Sequence, residues 1–229
     1  MIRVNLTPAF LIHRKAFKDS SLLLDFFTQK HGKIRLVGNG LRKAKTPLQT
    51  FQQMNISFSG KGEMKTLTGF EADDKPRKLL GETLILGIYA NELIAKLLQE
   101  QDAYPELFKA YKQFIGQITE LEKHSQHWLL RIFESNLLAE LGYGLDFEND
   151  INGNKIDENC HYNYQPQIGF LPVSTGKISG QLLLALLAKN LANPPNYEQL
   201  KVCRNLNRAR LKPFLSGKPL QSRALFFTN

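Results

Sequence analysis

Apolar and polar residues alternate in short runs over about the first 70 residues. In Lys33–Val37, Ile34 and Leu36 alternate with Lys33 and Arg35, so one face of a strand is apolar and the other is basic. Turns rich in glycine and asparagine separate the runs. The pattern predicts five strands, at residues 9–12, 21–28, 33–37, 50–59 and 64–70. Five short strands with such turns favour a small closed barrel.

After Pro76 the apolar residues take up a helical period. Ile88, Leu93, Leu97 and neighbouring apolar residues recur at spacings of three and four. The pattern predicts helices at residues 84–99, 104–121, 126–141, 180–191 and 197–214. Residues 143–178 are rich in Asn, Gly, Tyr and Pro, which indicates a long loop or small hairpin. We therefore expect an α+β chain of two domains, a barrel at residues 1–80 and a helical domain at residues 81–229.

Charge is segregated along the chain. Residues 1–80 contain 15 Lys/Arg against 6 Asp/Glu, a difference of +9 that equals the net charge of the whole chain. Residues 81–200 carry 8 basic and 15 acidic residues, and residues 201–229 carry 7 basic and no acidic ones. Two basic ends favour a polyanionic partner because Lys and Arg neutralise phosphates, although a basic protein without such a partner has the same balance.

Several other classes of protein are disfavoured. No apolar run reaches the roughly 18–20 residues of a membrane span and no signal peptide is evident, so we expect a cytoplasmic protein. Cys160 and Cys203 are too few for a disulfide framework. The sequence contains no P-loop, no dinucleotide fingerprint and no metal-ligand spacing of His or Cys. We therefore expect no catalytic residues, no cofactor and no metal.

Basic residues cluster at two places. Residues 30–45 contain six basic residues and no acidic one: Lys30, Lys33, Arg35, Arg42, Lys43 and Lys45. Phenylalanines that could stack on bases lie in the same domain, at positions 17, 26, 27, 51, 58 and 70, although most belong in a core. The last long helix aligns Lys201, Arg204, Arg208 and Lys212 on one face. That stripe is either a solvated face or a second track for phosphates.

The most apolar helix surrounds a single arginine. Trp128, Leu129, Ile132 and Phe133 flank Arg131, and a core position is the simplest interpretation of the aromatic and aliphatic residues. An arginine beside an apolar groove also suits the capture of a peptide that ends in a carboxylate.

Seven segments, in order and spacing, resemble the RecO family of bacterial recombination mediators along nearly the whole chain. They are His13–Thr28, His31–Val37, Leu48–Phe51, Tyr89–Leu93, Phe133–Leu138 (at its two ends), Leu141–Gly144 and Gly217–Arg223.

The resemblance implies an N-terminal OB-fold followed by a helical domain. It also implies a non-enzymatic protein, associated with the nucleoid, that binds single- and double-stranded DNA and anneals strands coated by the single-stranded DNA-binding protein. With RecR, such a protein helps RecA to load. We expect DNA contacts from barrel and C-terminal cations, and contacts of Arg131 and Trp128 with the acidic, apolar tail of the single-stranded DNA-binding protein. The expected DNA contacts are Lys15, Lys33, Arg35, Arg42, Lys43, Lys45, Arg204 and Arg208.

This sequence departs from the family pattern at several positions. Asn39 replaces a lysine, Thr50 replaces a proline, and Lys15-Ala16 replaces a common Arg-Pro. Some members bind zinc through four cysteines in the interrupting loop, but here that loop offers only Cys160, so we expect no zinc. Two rival functions are an adaptor for the single-stranded DNA-binding protein with incidental DNA contact, and an OB-fold nucleic-acid enzyme.

Overall fold

The computed structural model describes residues 2–44, 47–62, 64–215, 217 and 219–226. Its strands are β1 Ile2–Phe17, β2 Ser21–Thr28, β3 Gly32–Gly38, β4 Gln53–Gly60, β5 Lys65–Ala72, β6 His161–Gln165, β7 Gly169–Val173 and β8 Ile178–Ser179. Its α-helices are α1 Gly81–Leu97, α2 Pro105–Gln117, α3 Lys123–Leu138, α4 Gly180–Ala188, α5 Tyr197–Leu211 and α6 Ser222–Leu225.

The first five strands form a closed barrel in the order β1-β2-β3-β5-β4, with β4 paired to β1. This confirms the predicted five-stranded OB-fold. β1 is much longer than predicted because its first half pairs with β4 and its second half pairs with β2. The β1–β4 register shifts between Val4 and Thr7, where Leu6 has a φ of 48°. Polar residues and this bulge interrupt the alternation on which the sequence-based prediction depends.

The barrel is filled from β1 to β4 by buried side chains that include Leu11, Phe26, Leu36, Ile56 and Phe58, and β5 adds the partly buried Leu67. Phe26 faces this interior, while its neighbour Phe27 lies outside and packs against the Phe108 and Tyr111 rings of α2. The outer face of the barrel at Phe27 is therefore covered by α2 and is not open surface.

The chain divides into two compact units, Met1–Ile115 with Pro219–Asn229, and Gly116–Lys218. The change from strands to helices falls near residue 80, but the units do not divide at the predicted 80/81 boundary. α1 and most of α2 belong to the barrel unit because α2 covers Phe27 and because Asn91 of α1 donates to the Ile12 carbonyl of β1 at 3.2 Å. The Tyr111 hydroxyl donates to the same Asn91 side chain at 2.5 Å, which ties α1, α2 and β1 together.

The C-terminal segment joins the barrel unit through Glu92 of α1. Its carboxylate accepts the backbone amides of Gln221 and Ser222 at 2.8 and 2.9 Å and the Ser222 hydroxyl at 2.6 Å. Burial alone would raise the pKa of Glu92, but hydrogen bonds from Ser222, Lys96 and Gln221 lower it below its ordinary value. An ionised Glu92 is therefore the anchor of α6.

The second unit combines α3, α4 and α5 with a three-stranded sheet of order β7-β6-β8. The sheet lies in the second half of the segment expected to be a loop or small hairpin, and β6 and β7 form the hairpin. The turn-forming residues of this segment have a structural role. Asp146, Asp150 and Asp157 accept backbone amides in the tight turns that precede the sheet. Phe170 and Ile178 nevertheless enter a core shared with the helices.

Candidate nucleic-acid interface

Arg35 and Asp25 lie opposite each other on the outer face of β3 and β2. The Arg35 Nε and Nη2 atoms donate to the two Asp25 carboxylate oxygens at 2.6 and 3.0 Å, a bidentate pair. The hydrogen bond to Asp25 raises the pKa of Arg35. About half of the Arg35 side chain remains exposed, but its charge is compensated within the protein.

Lys33 supports a helix end. Its Nζ donates to the Ala95 carbonyl in the last turn of α1 at 2.7 Å. The helix dipole also stabilises a cation at this end of the helix. Burial lowers the pKa of Lys33, against the opposing effects of Glu100 and Asp25. The sequence pattern predicts that Lys33 lies on an open face, but its side chain instead holds α1 to the barrel.

Besides the ion-paired Arg35, three of the predicted barrel cations are exposed: Lys15, Arg42 and Lys43. Among the described residues these three, hereafter the exposed barrel cations, have no carboxylate partner within ion-pair distance. Arg42 is positioned by its backbone amide, which donates to the Ser20 carbonyl at 3.0 Å, so the turn after β3 is tied to the turn between β1 and β2. Lys45 lies outside the described residues.

The exposed barrel cations have a neighbour that the sequence-based prediction missed. Lys18 lies in the turn between β1 and β2, and its carbonyl accepts a hydrogen bond from Arg42 Nη1 at 3.4 Å. The Lys18 ammonium also lies 5.4 Å from the centroid of the Phe17 ring. In the sequence the adjacent Asp19 hides this lysine from a search for uninterrupted basic runs.

Most of the barrel phenylalanines cannot stack on a base. Phe26, Phe27, Phe51 and Phe58 are buried. Phe17 is half-buried and Phe70 is exposed, so these two retain accessible ring surface. The core interpretation of most candidates is therefore correct, and both Phe26 and Phe27 are excluded although they face opposite sides of β2.

The predicted C-terminal stripe lies on α5 and the 3₁₀ helix Lys212–Leu215 that follows it. Arg204 and Lys212 are exposed, and Arg208 is half-buried. Lys201 lies 4.0 Å from the Glu198 carboxylate. The helical spacing therefore presents at least two cations of the stripe to solvent.

The structure does not place Trp128 and Arg131 at an open groove. Trp128 is fully buried, and its indole N–H donates to the Asn190 carbonyl at 2.9 Å. The Arg131 side chain is 7% exposed and its Nη1 lies 2.9 Å from the Glu134 carboxylate. The expected direct contact of these two side chains with a peptide tail is corrected accordingly, because both are satisfied inside the second unit.

Arg131 belongs to a buried polar network between α3 and α5. The Asn207 amide donates to Glu134 at 2.9 Å and to the Arg131 carbonyl at 3.3 Å. Arg210 donates to the Asn207 side-chain oxygen at 3.3 Å and to the Tyr143 carbonyl at 2.7 Å. Burial lowers the pKa of Arg210. The helical spacing that places Arg208 on the basic stripe turns Arg210, two residues later, to another face of α5.

The described residues contain no group of three or more His, Cys, Asp or Glu side chains that could hold a metal ion. Cys160 is exposed, whereas Cys203 is fully buried and burial raises the pKa of its thiol to about 12. A thiol of that pKa is not a nucleophile at neutral pH. In the part of the chain that the structure describes, no helix is both long and apolar enough to cross a membrane.

A small OB-fold barrel with exposed cations, followed by helices, is an architecture of nucleic-acid-binding proteins. Family models for recombination protein O match both parts of the chain, the N-terminal model over residues 1–74 and the C-terminal model over residues 81–177.

Relatives named DNA repair protein RecO are similar along almost the full length. Those of Klebsiella pneumoniae subsp. pneumoniae and Serratia proteamaculans are each 37% identical, over 95% of this chain and 91% of theirs. That of Enterobacter sp. is 36% identical over 95% of this chain and 94% of its own. The chain therefore belongs to the RecO family, whose role lies in DNA repair and recombination.

Proposed function

We propose that this protein is a non-enzymatic recombination mediator that binds single- and double-stranded DNA and anneals strands coated by the single-stranded DNA-binding protein. Together with RecR it would promote the loading of RecA. Membership of the RecO family supports the recombination role. The observation that carries the DNA-binding part is the group of exposed barrel cations, which have no carboxylate partner among the described residues.

Annealing follows from charge neutralisation. Two complementary strands repel each other through their phosphates, and a surface that binds both strands through lysine and arginine lowers this repulsion. Lys15, Arg42 and Lys43 meet phosphates in this proposal, and Arg204 and Arg208 contribute from α5. Lys33 and Arg35 contribute less than the sequence suggested, because Lys33 is hydrogen-bonded to α1 and Arg35 to Asp25. Annealing of this kind requires no nucleotide hydrolysis.

The tail of the single-stranded DNA-binding protein remains a partner in this proposal on the strength of family membership. Arg131 and Trp128 support the helical unit from within, since both side chains are buried. An acidic, apolar tail would therefore be recognised by other, exposed residues. We expect the binding to survive conservative changes at Trp128 that preserve the fold.

The experiment is annealing of complementary oligonucleotides coated with the cognate single-stranded DNA-binding protein, without nucleotide. The coating protein is used both in its full-length form and without its tail. The mediator proposal predicts annealing that requires the tail and is lost when Lys15, Arg42 and Lys43 are all replaced by glutamine. Annealing that is indifferent to the tail leaves a simple DNA binder. A triple variant with normal annealing overturns the role given to the barrel and favours the adaptor.

A further inference from the structure

Tyr143 is an exposed aromatic residue with an aromatic partner. It ends the π-helical turn Ala139–Tyr143 that follows α3, and the residue is 49% exposed. Its ring lies edge-to-face with that of Phe214, at a centroid distance of 4.3 Å and an interplanar angle of 63°. Such a pair occupies part of the ring surface, so the exposed half of Tyr143 is available to a planar ligand.

The main chain of Tyr143 is fixed from inside the unit. Arg210 is buried and donates to the Tyr143 carbonyl at 2.7 Å, and Asn207 holds Arg210 in turn. Gly142 has a φ of +84°, which sets the sharp turn just before Tyr143. The aromatic ring therefore projects from a rigid backbone, and a ligand that stacks on it meets a surface that is already ordered.

Basic residues precede Phe214 along the chain. Lys212 is exposed two residues before Phe214, and Arg208 lies one helical turn earlier on α5. Residues 201–229 contain no Asp or Glu, and Glu140 is the one acidic residue of the turn that ends at Tyr143. An exposed ring beside cations is the combination that binds single strands, in which the bases stack and the phosphates meet positive charge.

We propose that Tyr143 and Phe214 form a stacking platform for a base of single-stranded nucleic acid, with Lys212 contacting the adjacent phosphate. The inference rests on the proposed DNA-binding function and adds a site at which single strands are preferred over duplex. Duplex bases are already stacked and cannot reach an aromatic ring without being flipped out.

The test compares Tyr143→Leu, which keeps an apolar contact with Phe214, with Tyr143→Phe, which keeps the ring. Each is titrated with an oligothymidylate and with an abasic strand of equal length. We expect Tyr143→Leu to bind oligothymidylate about tenfold more weakly, the abasic strand unchanged, and Tyr143→Phe to bind both normally. A thermal melt of each variant verifies that the second unit is folded. If Tyr143→Leu unfolds, Lys212→Gln replaces it, and the strand carries a fluorescent base analogue. Stacking on the ring should quench the analogue in the wild-type complex, and this quenching should be lost in the Lys212→Gln complex.

Three outcomes would overturn the platform. Equal losses on the two strands give Tyr143 a structural role only, and no loss on either strand means that bases do not reach the ring. Weaker binding of an acidic, apolar peptide with unchanged binding of both strands assigns the rings to a protein partner. The triple glutamine variant of the exposed barrel cations separates this test from the proposed function, since it should weaken both strands equally whether or not the platform exists.

Discussion

Three cations on the barrel and two arginines inside the helical unit are used in opposite ways. On the barrel, Lys15, Arg42 and Lys43 are exposed without a carboxylate partner among the described residues. In the helical unit, Arg131 and Arg210 are buried with Glu134 and Asn207. A buried charge stabilises only when it is paired, whereas an exposed charge is free to meet a phosphate. The same residue types are thus available for binding at the first group of positions and structural at the second.

The largest effect that we expect is on the stability of the helical unit. Glu134→Gln removes the carboxylate that pairs with Arg131 and accepts the Asn207 amide, and removal of one partner of a buried ion pair costs about 3–5 kcal/mol. Urea unfolding measures the loss. Glu120→Gln, at an exposed position of the same unit, should change the free energy of unfolding by less than about 0.5 kcal/mol. A cost at Glu134 as small as that of the control would show that the network is not structural.

The next effect is on DNA affinity. Replacement of Lys15, Arg42 and Lys43 together by glutamine removes three phosphate contacts, which should weaken single-strand binding about 100-fold near 0.1 M salt. Fluorescence anisotropy measures the affinity. The matched control replaces the exposed Lys75, Lys78 and Lys112 of the same unit by glutamine, which makes an equal change in net charge. Equal losses in the two variants would mean that net charge, rather than this surface, determines the affinity.

A smaller effect concerns the C-terminal segment. The folded pKa of Glu92 is lowered, so its contribution is fully present above the unfolded value of about 4.5 and is lost as the pH falls through the folded pKa. Amide hydrogen exchange at Ser222 should accelerate over that range. Glu92→Gln should weaken the docking of α6 by about 2 kcal/mol at neutral pH, the scale of hydrogen bonds to a charged group. Unchanged protection of Ser222 in this variant would contradict the anchor.

The smallest expected effect tests whether the ion pair with Asp25 keeps Arg35 from binding a phosphate. Asp25→Asn frees Arg35, and one added phosphate contact should tighten single-strand binding about fivefold near 0.1 M salt. Arg35→Gln should change the affinity much less than Lys43→Gln does. Weaker binding by Asp25→Asn would show that the pair positions Arg35 for DNA instead of neutralising it.

The sequence predicted the order of elements well because each follows from a local period. All five barrel strands and helices α1 to α5 are where alternation or helical spacing placed them, apart from their ends. Within residues 143–178 the hairpin of β6 and β7 is one of the two predicted forms, whereas the pairing of β6 with β8 was not predicted. The turns closed by Asp side chains before the sheet indicate a loop in the sequence. The first half of β1 was not predicted as a strand because it is held by pairing with β4, which is distant in the sequence.

The candidate site was predicted less completely, because exposure depends on contacts that are distant in sequence. Lys33 and Arg35 alternate outward as predicted, yet Lys33 donates to a carbonyl 62 residues away and Arg35 to an aspartate on the neighbouring strand. Arg131 sits among apolar residues in sequence, and only Asn207 and Glu134 together reveal a buried network. Residue type predicted where the charge lies along the chain but not whether it is already paired.

The most direct test of the central claim is the salt dependence of single-strand binding by the wild-type protein, the triple variant of the exposed barrel cations and Arg35→Gln. The account predicts that the slope of log K against log salt becomes shallower by about 2 in the triple variant, at roughly 0.7 per lost contact, and stays nearly unchanged in Arg35→Gln. A slope unchanged in the triple variant, or reduced as much per residue by Arg35→Gln, would contradict the distinction between open and compensated cations.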